Sequence, residues 1–249
     1  MKRRICFENE QRFENDFKFN FMRLKYFASL AIGAVCCFPV AAQEKVAIDS
    51  SYNNGHYQHR LEFFRMMPDQ KKEIVFIGNS ITEMGEWQEL LPGQPVVNRG
   101  ISGDVTWGVL ARIDEVLSAK PAKVFILTGV NDLKRGVPVD TVAKTFERIL
   151  VKMKQGSPKT KVFVQGVLPV NEGMLAAQYK KVTNAIIAQL NERFKVLAAK
   201  YQYTYVDLAP ALTDEQGQLK KENTQDGLHL WPAAYIQWVN RLKQLGYLK

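Results

Sequence analysis

Short apolar runs alternate with longer amphipathic stretches from residue 73 onward, and this alternation constrains the fold more than any other feature of the sequence. Each run is apolar on nearly every residue, which is typical of strands that are covered on both faces. Because strand–helix–strand crossovers are right-handed and cover a sheet with helices, the sequence predicts an α/β fold with one parallel sheet and helices on both faces. The five predicted strands lie at residues 73–78, 96–98, 124–128, 162–166 and 203–206.

Amphipathic periods between the predicted strands indicate the helices. The clearest period covers residues 176–200, where apolar side chains recur every three or four positions, and shorter ones cover 105–117 and 141–154. Another helix is predicted before the first strand, at 57–67. The last begins near Trp231, which is followed by a proline that the first turn of a helix tolerates. In such folds ligands bind at the carboxyl ends of the strands.

Residues 22–42 have the pattern of a secretory signal peptide. A short basic start is followed by an apolar run that is too short for a membrane span of about 20 residues, and small residues precede Gln43. We therefore expect an upstream extension and a signal peptide at residues 1–42, and one globular domain at residues 43–249. The expected location of the domain is periplasmic or secreted.

All three cysteines, Cys6, Cys36 and Cys37, precede the expected cleavage site. The domain would then have neither a disulfide bond nor a thiol nucleophile, so its core would be held by packing. A lipoprotein anchor at Cys36 or Cys37 is an alternative to cleavage before Gln43. After residue 42 the sequence has no stretch long and apolar enough to predict a stable membrane span.

The chain is basic, with a formal net charge of +9. Its basic residues are spread thinly over the predicted helices and are not interleaved with aromatic residues, as they would be in a nucleic-acid groove. The charge is therefore interpreted as a solvated surface, and no nucleic-acid partner is predicted.

Ser80 directly follows the first predicted strand. On a turn between a strand and a helix, its hydroxyl would point out of the edge of the sheet. Its N–H would belong to a helix N-terminus, where donors are unpaired and negative charge is favoured, so it could stabilise an oxyanion. The alternative is an ordinary helix-capping serine.

Two further segments follow the second and third predicted strands. Residues 98–104 contain Gly103, and a glycine lets a backbone N–H approach a ligand closely. Residues 128–132 contain Asn131, whose amide could donate to the same oxyanion. Each segment alone is also typical of a tight turn or a helix cap.

The fourth segment contains Asp226 and His229, in the loop before the last predicted helix. The other two histidines lie upstream of the first strand, so His229 is the only candidate base beyond the sheet. A neutral imidazole can take the proton of a serine, and a nearby carboxylate can hold its tautomer. The alternative is a metal site with Asp207 or Asp104, which the lack of a second histidine disfavours.

In this order the four segments resemble the SGNH/GDSL hydrolase family, which is named for serine, glycine, asparagine and histidine. The matching residues are Ser80, Gly103, Asn131 and His229, and Asp226 fits the third member of the family's triad. The sequences of these segments are similar to those of platelet-activating-factor acetylhydrolase catalytic subunits and of related bacterial carbohydrate acetylesterases. One departure is Gly-Asn-Ser in place of the usual Gly-Asp-Ser.

The resemblance implies a three-layer flavodoxin-like fold and ester hydrolysis through an acyl-serine intermediate. It implies a triad of Ser80, His229 and Asp226, and an oxyanion hole formed by the N–H groups of Ser80 and Gly103 and by the side chain of Asn131. It implies neither a metal nor an organic cofactor.

The favoured substrate is a small acylated molecule, an acetyl ester of a carbohydrate. Trp107 and Trp231 are candidate substrate-binding residues because they lie beside the active segments and could stack on a sugar face, and the same holds for Trp87. The alternatives are a lysophospholipase or thioesterase of the same fold, and a non-catalytic carbohydrate-binding protein.

Overall fold

The computed structural model describes residues 50–249, which fold around a five-stranded parallel sheet. The strand order is β2-β1-β3-β4-β5, and every neighbouring pair is parallel. The predicted α/β fold with a five-stranded parallel sheet is therefore confirmed. The strands are β1 Ile74–Gly78, β2 Val96–Gly100, β3 Lys123–Leu127, β4 Lys161–Gln165 and β5 Thr204–Val206.

The helices surround this sheet, and four of those in the described part are single turns of four or five residues. The α-helices are α1 Gly55–Met66, α2 Ser80–Glu83, α3 Trp87–Leu90, α4 Thr106–Ser118, α5 Val130–Lys134, α6 Val139–Gly156, α7 Asn184–Lys200, α8 Ala209–Leu212 and α9 Pro232–Gln244. Short 3-10 helices lie at Ser50–Tyr52, Ala177–Tyr179 and Lys221–Asn223.

The direction of the crossovers decides which helices cover which face. The connection from β1 to β2 runs one way along the sheet, and the later connections run the other way. Right-handed crossovers therefore place α2 and α3 on one face and α4, α6 and α7 on the other. The topology reverses at β1, which makes the carboxyl end of this strand the expected position of a binding site.

A row of aromatic rings crosses the centre of the sheet. Phe76, Phe125 and Phe163 occupy the same register position on β1, β3 and β4, and neighbouring ring centroids are 4.9 and 4.5 Å apart. Trp87 stacks on Phe76 at 3.9 Å, and Trp238 of α9 packs edge-on against Trp87. Burying each such ring contributes about 2–3 kcal/mol, so this packing holds the end of β1 firmly.

The predicted helix at residues 176–200 is wrong in its first third. Helix α7 begins at Asn184 because the side chain of Thr183 caps it by accepting a hydrogen bond from Ile186 N–H at 3.3 Å. The amide of Asn184 also bonds to both backbone groups of Val170. These contacts separate Tyr179 from the helix, although its spacing fits the apolar stripe.

Strand β2 is two residues longer than predicted, ending at Gly100. The signal peptide predicted at residues 22–42 and the three cysteines lie outside the described residues. Within residues 50–249, the longest apolar helix falls short of what a membrane crossing requires.

Candidate active site

Ser80 is the first residue of α2, immediately after the carboxyl end of β1. Asn79 caps this short helix, since its side-chain oxygen accepts from Ile81 N–H at 3.1 Å and its carbonyl from Glu83 N–H at 2.9 Å. A Cβ at Gly78 would lie 2.2 Å from the carbonyl oxygen of Leu127, so only glycine fits at this close approach. As a first helical residue, Ser80 has an N–H with no acceptor inside its helix.

His229 lies within hydrogen-bonding distance of this serine, although 149 residues separate them in the sequence. The distance from Ser80 Oγ to His229 Nε2 is 3.0 Å, and that from His229 Nδ1 to Asp226 Oδ2 is 2.8 Å. A carboxylate can only accept, so Nδ1 carries the proton and Nε2 is free to accept the proton of the serine. The three side chains form one continuous hydrogen-bonded chain.

Asp226 also fixes the backbone of its own loop. Its Oδ1 accepts from the N–H groups of Leu228 and His229, at 3.0 and 2.8 Å. Partial burial acts to raise the pKa of Asp226, but the hydrogen bonds from His229 and Leu228 hold that pKa below its ordinary value. Gly227 has a φ of +89°, and a Cβ there would meet the Asn171 carbonyl at 2.6 Å. Glycine is therefore required for Asp226 and His229 to approach each other.

Gly103 and Asn131 follow β2 and β3, which flank β1 on either side. Ser80, Gly103 and Asn131 therefore follow three adjacent strands at one edge of the sheet. Gly103 has a φ of +80°, in the left-handed region that favours glycine. Asn131 is 7% exposed and donates through Nδ2 to the carbonyl of Asp104 at 2.9 Å, which fixes the orientation of its amide.

A fully buried ion pair supports the segment around Gly103. Arg112 Nε donates to Asp104 Oδ2 at 2.9 Å, and both side chains are 0% exposed. The same guanidinium donates to the carbonyls of Arg99 and Gly78, at 2.9 and 3.0 Å. Arg112 thus joins the end of β1, the end of β2 and the oxyanion loop, which we define as residues 101–104.

Glu83 links α2 to the same loop. Its carboxylate accepts from Ser102 N–H, lies 3.1 Å from His56 Nε2 and forms an ion pair with Arg60 at 3.3 Å. Partial burial acts to raise the pKa of Glu83, but these hydrogen bonds and Arg60 hold it below its ordinary value. Neither Glu83 nor Arg112 could be identified from the sequence, because their partners lie far away in the chain.

The metal-site alternative gains no support from the described residues. Asp104 is paired with Arg112, and the Asp207 carboxylate accepts from Ala209 N–H. Among the residues that the structure describes, no group of three histidine, cysteine, aspartate or glutamate side chains is arranged to hold a metal ion.

The tryptophans lie in three different environments. Trp87 is fully buried against Phe76, so the prediction that it could stack on a sugar is wrong. Trp107 is 9% exposed beneath the guanidinium of Arg148 and lines a cleft that contains no member of the Ser80, Asp226 and His229 set.

Trp231 is 48% exposed and follows His229 by two residues. It lines a cleft of about 580 Å³ together with Met84, which lies just past α2. This cleft, which we call the Trp231 cleft, also contains Leu90, Gln225, Leu230, Pro232, Tyr235, Ile236 and the carboxylates Glu86 and Glu89. Of the three tryptophans, Trp231 is therefore the most exposed and the one nearest to His229 in the sequence.

Tyr179 lies near His229, a contact that the sequence did not predict. The two rings are 6.4 Å apart and edge-on, and the ammonium of Lys134 lies 4.2 Å from the centre of the tyrosine ring. Arg135 donates to the carbonyl of Gly103 at 3.1 Å. One side of the site is therefore bordered by a tyrosine and basic side chains.

A serine hydroxyl is an activated nucleophile when it is hydrogen-bonded to an imidazole that a carboxylate orients. Unpaired N–H groups at a helix start and a fixed Asn amide suit a developing oxyanion. The arrangement is thus equipped for acyl transfer from an ester to water.

Comparison with known proteins agrees with this chemistry. The model of the GDSL-like Lipase/Acylhydrolase family matches residues 76–235. The platelet-activating factor acetylhydrolase IB subunit alpha2 of Rattus norvegicus is 25% identical over 211 residues, which are 82% of this chain and 87% of the relative.

Solved structures share the fold. A protein from Streptococcus pneumonia, described provisionally as a platelet activating factor, is 34% identical with a TM-score of 0.71, over 76% of this chain and 92% of that one. A catalytic mutant of Axe2, an acetylxylan esterase from Geobacillus stearothermophilus, is 20% identical with a TM-score of 0.57, over 74% and 99% of the two chains. The likeness to Axe2 concerns the fold alone.

Proposed function

Because the chain belongs to the GDSL-like lipase/acylhydrolase family and is thus a carboxylic ester hydrolase, we propose that it removes short acyl groups, principally acetyl groups, from carbohydrates. We propose Ser80, His229 and Asp226 as its catalytic triad. The observation that carries this proposal is the hydrogen-bonded chain from Ser80 Oγ to His229, at 3.0 Å, and on to Asp226, at 2.8 Å.

The first half of the reaction transfers the acyl group to the enzyme. His229 Nε2 takes the proton of Ser80 while Oγ forms a bond to the ester carbonyl carbon. The bond from that carbon to the alcohol oxygen then breaks, and the alcohol leaves with the proton from His229. The negative charge of Asp226 stabilises the imidazolium that exists between these two steps.

The second half returns the enzyme to its starting state. His229 takes a proton from water as the hydroxide oxygen bonds to the acyl carbon. The bond to Ser80 Oγ breaks, and the serine recovers its proton from His229. In both halves the negative oxygen of the tetrahedral intermediate accepts from Ser80 N–H, Gly103 N–H and Asn131 Nδ2. Losing one such donor typically costs about 10²–10³ in rate.

Two observations support an acetyl ester of a carbohydrate. Trp231 follows His229 by two residues and its ring is exposed, and an exposed aromatic face can cover a sugar ring. The relatives are named as acetylhydrolases and, for the fold alone, as an acetylxylan esterase, and an acetyl group is the smallest common acyl group.

The proposal is tested with 4-nitrophenyl acetate and with acetylated xylo-oligosaccharides, by measuring released nitrophenol and acetate. We expect Ser80→Ala to lower kcat by about 10⁶ and to abolish labelling by a fluorophosphonate. Ser118→Ala is the matched control, because this serine lies at the end of α4 and only bonds to the Glu115 carbonyl. Labelling that persists in Ser80→Ala would exclude Ser80 as the nucleophile.

A second candidate substrate is a longer acyl ester, as in a lysophospholipase or thioesterase. The observation that favours it is the apolar side of the Trp231 cleft, where Met84 and Ile236 are 43% and 51% exposed. A series of 4-nitrophenyl esters from acetate to palmitate separates the two. We expect kcat/KM to be highest at two to four carbons, whereas a maximum at eight or more would favour the second candidate.

We also propose that the enzyme is exported, with residues 22–42 as its signal peptide. The support is the pattern of a basic start, an apolar run and small residues before Gln43. The test is the mass of the protein recovered from the periplasm or medium of an expressing bacterium. A mature chain that begins at Gln43 is expected, and a cytoplasmic, uncleaved chain would contradict export.

A further inference from the structure

The two sides of the catalytic site differ in charge. On one side the ring of Tyr179 stands edge-on to His229 at 6.4 Å, and the ammonium of Lys134 lies over the same ring at 4.2 Å. A positive charge is therefore held one aromatic ring away from the proposed general base. The electron-rich face of an aromatic ring attracts such an ammonium.

More basic residues lie beside Lys134. The ammonium of Lys181 lies next to Gly136, two residues beyond Lys134, since a Cβ built at Gly136 would be 3.0 Å from it. Lys180, the adjacent residue, is exposed. Within residues 50–249, no carboxylate forms an ion pair with Lys134, Lys180 or Lys181. We call these three residues the lysine flank.

The Trp231 cleft, in contrast, is acidic. The Trp231 cleft carries Glu86 and Glu89, both exposed and, in the part of the chain described, without an ion-pair partner. Two carboxylates close to Ser80 are balanced, because Glu83 is paired with Arg60 and Asp104 with Arg112. The lysine flank therefore adds positive charge beside Tyr179, and Glu86 and Glu89 add negative charge in the Trp231 cleft.

An anionic group on a substrate would be attracted toward Tyr179 and repelled from the Trp231 cleft. We propose that the substrate is an O-acetylated acidic sugar, a uronic- or sialic-acid type of molecule, whose carboxylate binds at Lys134 and Lys181. This inference rests on the proposed function, since it assigns the substrate class of the same site. The uncharged face of the sugar then lies toward Trp231, and the acetyl ester lies on Ser80.

The lysine flank is partly exposed to water, which weakens each charge interaction. Two such contacts change kcat/KM by about five- to tenfold. An effect of this size needs two substrates that differ in charge and in little else. Fully O-acetylated glucuronic acid and its methyl ester are such a pair, because they carry the same acetyl groups on the same ring.

The experiment measures acetate release from both compounds at low ionic strength. We expect kcat/KM for the acid to exceed that for the methyl ester by about fivefold or more. In the double variant Lys134→Met, Lys181→Met the ratio falls to about one. Lys243→Met, an exposed lysine on α9, is the matched control and keeps the wild-type ratio.

The outcomes separate this inference from the proposed function. If 4-nitrophenyl acetate is hydrolysed in a Ser80-dependent way but the acid is no better than its methyl ester, the lysine flank does not select the substrate and the inference is overturned. It is overturned as well if the double variant keeps the wild-type ratio. If the wild-type enzyme hydrolyses neither 4-nitrophenyl acetate nor either sugar ester, the proposed function is contradicted instead.

Discussion

The oxyanion loop and the histidine loop meet at the same edge of the sheet, but different kinds of contact hold them. The oxyanion loop, residues 101–104, is tied to distant elements by Arg112 and Glu83, through a fully buried ion pair and a partly buried carboxylate. The histidine loop, residues 224–231, is held by bonds among its own residues, in which Asp226 bonds to the backbone of His229 and Thr224 Oγ1 to its carbonyl, and by a backbone bond from Asn171 N–H to the Gly227 carbonyl.

This difference indicates in which loop a substitution should affect stability and activity together. A buried charge network spans several elements, so its loss would disturb both the fold and the site. In the histidine loop the side chains of His229 and Asp226 are 19% and 40% exposed, so they can be changed with an effect mainly on the chemistry. The following substitutions test whether the two loops separate in this way.

The largest expected effect lies in the histidine loop. His229→Ala should lower kcat by on the order of 10⁵–10⁶, and Asp226→Asn by about 10⁴, since the base or its tautomer is lost. The free energy of unfolding should change by less than about 1 kcal/mol in His229→Ala, because the hydrogen bond from Thr224 reaches its backbone. Kinetics on 4-nitrophenyl acetate and urea denaturation measure the two quantities. If His229→Ala lost stability as well as activity, the two loops would not differ in the way described.

Next in size is the buried ion pair of the oxyanion loop. Arg112→Met should lower the free energy of unfolding by about 3–5 kcal/mol, because Asp104 would remain buried without its partner. Urea denaturation measures the loss, and Arg148→Met serves as the control, since that guanidinium lies over Trp107 at the surface of α6.

If Arg112→Met does not fold, the double variant Asp104→Leu, Arg112→Met keeps the prediction testable. It removes both charges and should recover much of the lost stability. A single variant as stable as the wild type would show that the pair does not hold the oxyanion loop.

The smallest expected effect concerns Glu83. Glu83→Ala removes the acceptor for Ser102 N–H beside Gly103. We therefore expect kcat to fall about tenfold with KM nearly unchanged, which is less than the fall expected when an oxyanion donor itself is lost. Glu83→Gln keeps an acceptor and should restore most of kcat. Steady-state kinetics on 4-nitrophenyl acetate give this split, and Glu62→Ala on α1 is the control. A change in KM alone would argue against a positioning role.

Local patterns allowed much of the fold to be predicted. The strands were placed within one or two residues, because continuous apolar runs depend on burial of both faces of a sheet. The helix at 176–200 was misplaced at its start, because its apolar period continues through Tyr179 while Thr183 and Asn184 cap the real helix. A cap that bonds to Val170 is a tertiary contact, which periodicity does not contain.

Some features of the candidate site could likewise be predicted from the sequence, and others could not. The order of the four segments predicted that Ser80, Gly103, Asn131 and His229 would share one sheet edge, and the structure places them after adjacent strands and in the final loop; their catalytic roles are proposals. The tryptophans could not be distinguished, because Trp87 and Trp231 differ only in burial.

By itself the sequence determined the parallel α/β fold, the glycine at the strand-to-serine turn and the Asp-x-x-His spacing. The conformation of a strand, a tight turn or an i,i+3 pair depends on neighbouring residues, so its signal is local. Only the tertiary structure decided that Arg112 would join three chain segments, that Glu83 would bind Ser102, and that Lys134 and Tyr179 would stand beside His229. Such contacts join residues far apart in the chain, and their geometry is set by how the packed helices and strands bring them together.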